Sequence, residues 1–266
     1  MQNQRQRLNL KGRYFVGASL LLMLFVQIAM VGPVRAAADA IVVLNDVNEP
    51  PFTTAAGDGF LDVIAGEAFR RAGLSLKFVK LPPERALMNA NAGIEDGDVT
   101  RIAGLEKDYP NLIRVPEKLV DWTFVAFTRK TESIEASWSA LESLTVGHIK
   151  GWKILEKNLR SKTLITTADN PNQLFTMLEK NRVEVALYER WMGAALLKQM
   201  NITDVRVVEP PLVVREMFIY LHQRHADKIP ALAAALRAIK SEGMYARVCR
   251  EKFAPLAPLS SQCDVR

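Results

Sequence analysis

Two hydrophobic periodicities alternate along the chain. Ile41 to Leu44 is a short apolar run that reads as a buried strand. Leu61, Ile64, Ala65, Ala68, Phe69 and Ala72 then recur at the spacing of one helix face, and Gly73 closes that helix. Leu76 to Lys80 alternates as a strand does. A second helix starts after Pro82-Pro83 and ends at Gly93. The repeated order of strand and helix predicts a mostly parallel sheet with helices on its faces. Further strands are read at 112–115, 122–128, 145–149, 164–167, 183–188, 205–208 and 217–221. Residues 131–143 read as polar and then helical. Asn170-Pro171 is a helix start, because Asn caps and Pro fits a first turn. Helices are also read after Gly151, over 191–200, and over 226–240 and 242–253.

The first residues follow a different pattern. Arg5, Arg7, Lys11 and Arg13 precede an apolar run from Tyr14 to Val31. Pro33 and the small residues Ala36 to Ala38 follow it. This is the layout of a secretory signal over residues 1–36, cleaved near Ala36 or Ala38; a retained anchor is the alternative. Removing it takes away five basic residues and no acidic ones. The mature chain then carries 30 Lys/Arg against 29 Asp/Glu, so the basic balance gives no reason to expect nucleic acid. Export also makes Cys249 and Cys263 a disulfide candidate.

About 230 residues remain, enough for one large domain or two ordinary ones. A second strand–helix set begins near Thr145. We therefore expect an α/β, two-lobed architecture, each lobe a mostly parallel sheet flanked by helices. Lobe one comprises 39–127 and 213–266, and lobe two 128–212. Two hinge crossings, near Phe127–Lys130 and Pro210–Val213, join them.

Four stretches resemble the family 3 extracellular (periplasmic) solute-binding proteins, in particular the amino-acid-binding ones. "IVVLNDVNEPPF" at 41–52 looks like their opening strand and turn. "LDVIAGEAFRRAGL" at 61–74 resembles their first helix. "LTVGHIKGWK" at 144–153 is similar to the strand and glycine turn that open their second lobe. "LEKNRVEVALYE" at 178–189 looks like the strand that ends on an acid. The resemblance implies a hinged protein that closes on a small polar, amino-acid-like solute, usually for an ABC importer. It also implies a set of site residues. Asp46 matches a cleft carboxylate after the first strand. Glu49 stands where many members have a stacking aromatic. Gly151 and Trp152 lie on the turn whose amides meet ligand, and Glu189 matches the acid that holds a ligand amine. The arginine that grips the ligand carboxylate in that family is missing; its position falls near Pro110. Arg101 or Arg85 is the candidate to replace it, since both can fork onto an anion. Trp122 completes the candidate set.

Partners follow from the same reading: a small-molecule solute, a permease or a membrane sensor, no nucleic acid, and a monomeric chain. No cofactor is expected. His148, His222 and His225 do not make a metal set. One enzymatic alternative stays open, because some relatives are cyclohexadienyl dehydratases; Glu49 or Glu189 would then be the base.

Overall fold

The computed structural model describes residues 40–46, 49–159 and 163–256. The expected leader at 1–36 and Cys263 lie outside those residues. From Ala40 onward the chain forms one unit, and the elements follow in the expected alternation. They are β1 (Ala40–Asn45), α1 (Phe60–Arg71), β2 (Leu74–Val79), α2 (Pro83–Asn91), β3 (Gly97–Arg101), β4 (Leu112–Arg114) and β5 (Val120–Thr128). Then come β6 (Thr145–Ile149), α3 (Lys153–Asn158), β7 (Leu164–Ala168), α4 (Pro171–Glu179), β8 (Val185–Glu189), α5 (Arg190–Gln199) and β9 (Arg206–His222). Helices α6 (Ile229–Ser241) and α7 (Met244–Phe253) end the series.

Two parallel trios form the framework. β1 pairs in parallel with β2 and β3, and β6 with β7 and β8. Antiparallel β5 and β9 join the trios, giving the order β2-β1-β3-β9-β5-β8-β6-β7, with β4 also on β9. The α/β class and the helix-flanked parallel strands agree with the sequence reading. The sheet as a whole is mixed, because the joining strands run against both trios.

β9 departs most from expectation. Residues 205–208 and 217–221 read as two strands, yet Arg206–His222 is continuous. Its register against β5 jumps between the pairs Ala126–Val208 and Phe124–Val213. Pro210 and Pro211 fall inside that jump. Proline has no N–H for a ladder, so the irregularity sits where the pairing costs least. Beyond it, Ile219 and Leu221 face the main core, while Phe218 and Tyr220 pack with Ala90 and Leu112 on the opposite side. Both faces are covered, which explains an unbroken apolar run in place of an alternating one.

The helices form where the sequence caps them. Asn170 accepts from the Gln173 N–H at 2.9 Å with Pro171 behind it. Asp62 accepts from the Gly59 and Thr54 N–H groups, each at 2.9 Å. The buried face of α1 contains Leu61, Ile64, Ala65, Ala68 and Phe69 as its spacing predicts. The helical stretch read at 131–143 is only one turn, Ala140–Ser143, and 223–228 is a 3₁₀ turn ahead of α6.

Candidate functional site

The parallel strands set the geometry. Their carboxyl ends leave helix N-termini and loop side chains pointing outward, which is where open α/β sheets hold ligands. In the first trio those ends are Asn45-Asp46 and Arg101. In the second they are Ile149, followed by Gly151-Trp152, and Glu189.

Asp46 is buried and accepts from the Thr53 hydroxyl at 2.5 Å. Glu49 is half-buried, with the exposed Lys80 ammonium 3.4 Å away. Arg101 does not stand free. Its Nη2 donates to the Asp98 carboxylate at 2.7 Å and to the Pro83 carbonyl at 3.1 Å. Burial raises the pKa of the Asp98 carboxyl, and the Arg101 charge works against that rise. Arg85 lies exposed on α2.

On the other side, Gly151 takes φ of 85°, a backbone conformation that glycine adopts without steric cost. Its N–H donates to Glu156 at 2.8 Å. The turn delivers Trp152 onto Tyr188, ring over ring, 4.8 Å between centroids and 12° between planes. Trp122 lies 6.2 Å from Trp152 on a second side, and Phe124 meets it edge-on at 5.7 Å. Phe52, from the loop after β1, reaches Trp122 at 6.4 Å. Phe52, Trp122, Trp152 and Tyr188 thus make a continuous aromatic series between the two strand ends.

Glu189 is fully buried. Its Oε2 accepts from the Trp191 and Met192 N–H groups at 2.8 Å each, which caps α5, and Oε1 receives the Thr123 N–H at 3.4 Å. Burial pushes its pKa up to about 8 against the pull of those donors. Next to it, burial first, and then the charges of Glu49 and Glu189, keep the Tyr188 phenol protonated well above its ordinary range.

The structure brings Asp46, Glu49, Trp122, Gly151, Trp152 and Glu189 to the strand ends. Arg101 is there too, already paired. Sequence reasoning missed Tyr188, Asp98 and Glu156 as site residues. Tyr188 was findable as the neighbour of Glu189 at a strand terminus. The expected bridge involves Cys249, which is buried on α7, and Cys263, outside the described residues. His225 Nε2 lies 2.5 Å from Asp96, beside Arg224, away from these strand ends.

No family model matches the chain. An uncharacterized protein of Shewanella oneidensis is 22% identical over 194 residues, 70% of this chain and 73% of that protein. Among solved structures, a mutant of ArgBP from T. maritima superposes with a TM-score of 0.66 at 18% identity, covering 82% of this chain and 96% of the other. The amino acid ABC transporter substrate-binding protein AbpA from Streptococcus pneumoniae, bound to L-arginine, gives 0.65 at 15% identity, covering 82% and 95%. A histidine kinase sensor domain with similarity to periplasmic binding proteins gives 0.67 at 15%, covering 80% and 95%. The chain has the α/β fold of the periplasmic binding proteins.

Proposed function

We propose that the chain is a family 3 solute-binding protein that captures a small polar solute between two lobes. The observation that carries this reading is the aromatic series Phe52–Trp122–Trp152–Tyr188. Side chains from the strand ends of two separate parallel trios thus come to one place. The fold shared with substrate-binding proteins supports it. A screen by thermal shift tests it: a solute that binds only the folded state at a hundredfold excess over Kd stabilises by ~2.7 kcal/mol. If no amino acid, amine, organic acid or sugar raises the melting temperature, the reading fails.

The lobe boundaries expected from sequence, 39–127 with 213–266 and 128–212, are part of this proposal. So are the cleaved leader and a periplasmic site of action; among the described residues no helix is long and apolar enough to cross a membrane. Amino-terminal sequencing of the secreted protein checks the leader. The partner is an ABC permease or a membrane sensor. ATP hydrolysis or kinase activity that rises on adding the loaded protein to the candidate partner decides between them.

A further inference from the structure

β5 and β9 run between the two trios, and one place on them lies level with the strand ends of both. Phe124 of β5 pairs with Glu189 at the carboxyl end of β8. Phe218 of β9 pairs with Arg101 at the carboxyl end of β3. Between these points Trp122 stands directly opposite Arg215. Directly opposed residues of an antiparallel pair share a face, with Cβ atoms ~4.5–5.5 Å apart. The register thus sets an indole beside a guanidinium where the carboxyl ends of both trios converge, the place at which open α/β sheets take ligands.

Packing does not account for either polar group. Alternation puts Val213, Arg215 and Met217 on one face of β9. Met217 is buried, and Val213 packs partly buried against the core. Arg215, between them, is exposed, so the apolar cover is interrupted at its level. Its Nη1 donates to the Val214 carbonyl at 2.9 Å, and it has no carboxylate partner among the described residues. Trp122 is 8% exposed, and its buried Nε1–H has no hydrogen-bond partner. The rings around it, Phe52, Phe124 and Trp152, offer no lone pair. A buried donor without an acceptor is costly, and an oxygen on a bound solute relieves that cost. Arg101 is a separate cation. Its Nη2 is spent on Asp98 and the Pro83 carbonyl, while its Nε is buried and unpartnered. It pairs with Phe218, whose side chain lies on the face of β9 opposite to that of Met217 and Arg215. Arg101 and Arg215 are therefore alternatives for any one group of a ligand.

We infer that Trp122 and Arg215 form a subsite for an anionic oxygen group of the solute, a carboxylate being the simplest. One oxygen accepts from the Trp122 Nε1–H, and the Arg215 guanidinium, permanently charged and able to fork onto a carboxylate, supplies the charge. This rests on the solute-binding reading above and deepens it.

Calorimetry of the full mature chain with carboxylate and amide pairs tests the subsite: L-arginine against L-argininamide, L-serine against L-serinamide, succinate against succinamide. The carboxylate member of at least one pair should bind at least ~10-fold tighter than its amide. Arg215→Gln and Trp122→Phe, each verified as folded by circular dichroism, should each weaken that carboxylate at least ~10-fold and bring the ratio within the pair toward one. The ratio separates a lost contact from general damage to the fold. Tighter binding of the amides, or parent-like affinity of either variant for the carboxylate, overturns the inference and leaves solute binding intact. Loss of the carboxylate preference only in Arg101→Gln or Arg85→Gln does the same and puts the anionic group at the start of α2. Binding of an amine or a sugar alone also overturns the subsite and leaves solute binding intact. If neither this panel nor the thermal-shift screen yields a binder, the inference and the solute-binding reading fall together.

Discussion

At the residue scale the strongest physical constraint is Glu189. Its place is legible in the sequence, because an acid ends an apolar strand run. Its burial is not, since the donor Thr123 lies 66 positions away and nothing local announces it. The same holds for Arg101. Its spacing from Asp98 allows the pair, but only the fold decides that Asp98 is buried and takes the guanidinium. Glu189 gives a pH prediction. Its folded pKa of about 8 lies above the unfolded value of ~4.3. Below pH ~4.3 the group is protonated in both states, and the stability it contributes is fully present. Between that pH and about 8 the unfolded chain ionises and the folded one does not, so stability falls as pH rises, by up to ~1.4 kcal/mol per pH unit. Glu189→Gln keeps an acceptor for the α5 cap and cannot ionise. In urea titrations at pH 5 and pH 8.5, the parent should lose on the order of a few kcal/mol relative to this variant. Parallel behaviour of the two proteins would mean that Glu189 is ionised in the folded state at neutral pH.

At the element scale most strands and helices follow from periodicity and caps. α1 and α4 were readable because an apolar face and a cap coincide. β9 was not, because two prolines interrupt a strand that nonetheless continues on both sides of them. The region 131–143 was over-read: its polar and apolar spacing fits a helix, but only the single turn Ala140–Ser143 forms. Two glycines separate packing from propensity. A Cβ on Gly97 would stand 2.0 Å from the Tyr220 carbonyl oxygen and 3.0 Å from Leu221 Cα, both backbone atoms. Gly97→Ala must push β3 from β9 and should cost at least ~2 kcal/mol. A Cβ on Gly66, inside α1, meets nothing within 4 Å. Gly66→Ala should stabilise by ~0.5–1 kcal/mol through helix propensity. Thermal melts of the two variants check both, and equal effects would refute the contrast. The proposed Cys249–Cys263 bridge would close a loop of ~15 residues and stabilise by ~3 kcal/mol in the chain-entropy model. Non-reducing peptide mapping of secreted protein should find one linked pair. Two alkylatable thiols would dispose of it.

At the scale of the whole molecule the α/β plan of helix-flanked parallel strands was readable, because two strand–helix sets follow one another. How they connect was not. Strand pairing between β5 and β8 joins residues some sixty positions apart, and no local pattern encodes it. β5 pairs with β8 from Phe124 to Thr128 and with β9 on its other side. The register jump in β9 coincides with the second proposed crossing, Pro210–Val213. Arg190 grips Glu209 there through two bonds, at 2.5 and 2.7 Å, and straps α5 to the jump. We therefore place the flexing point of β9 at this irregular stretch, where ladder bonds are fewest. For β5 the pairing favours a bend just before Phe124. Opening about those points would part Trp122 from Trp152. On this proposal the Trp122–Trp152 contact belongs to the closed arrangement, and solute should favour that arrangement by binding it more tightly. A compact chain of this length has a radius of gyration of about 17 Å. Small-angle scattering should give a larger value without solute and a smaller one at saturation. Trp152→Leu removes the Trp122 contact that closure would make, so it should weaken the compaction at saturating solute. An unchanged radius at saturating solute would show that the two strand ends are held together permanently, and that capture needs no hinge.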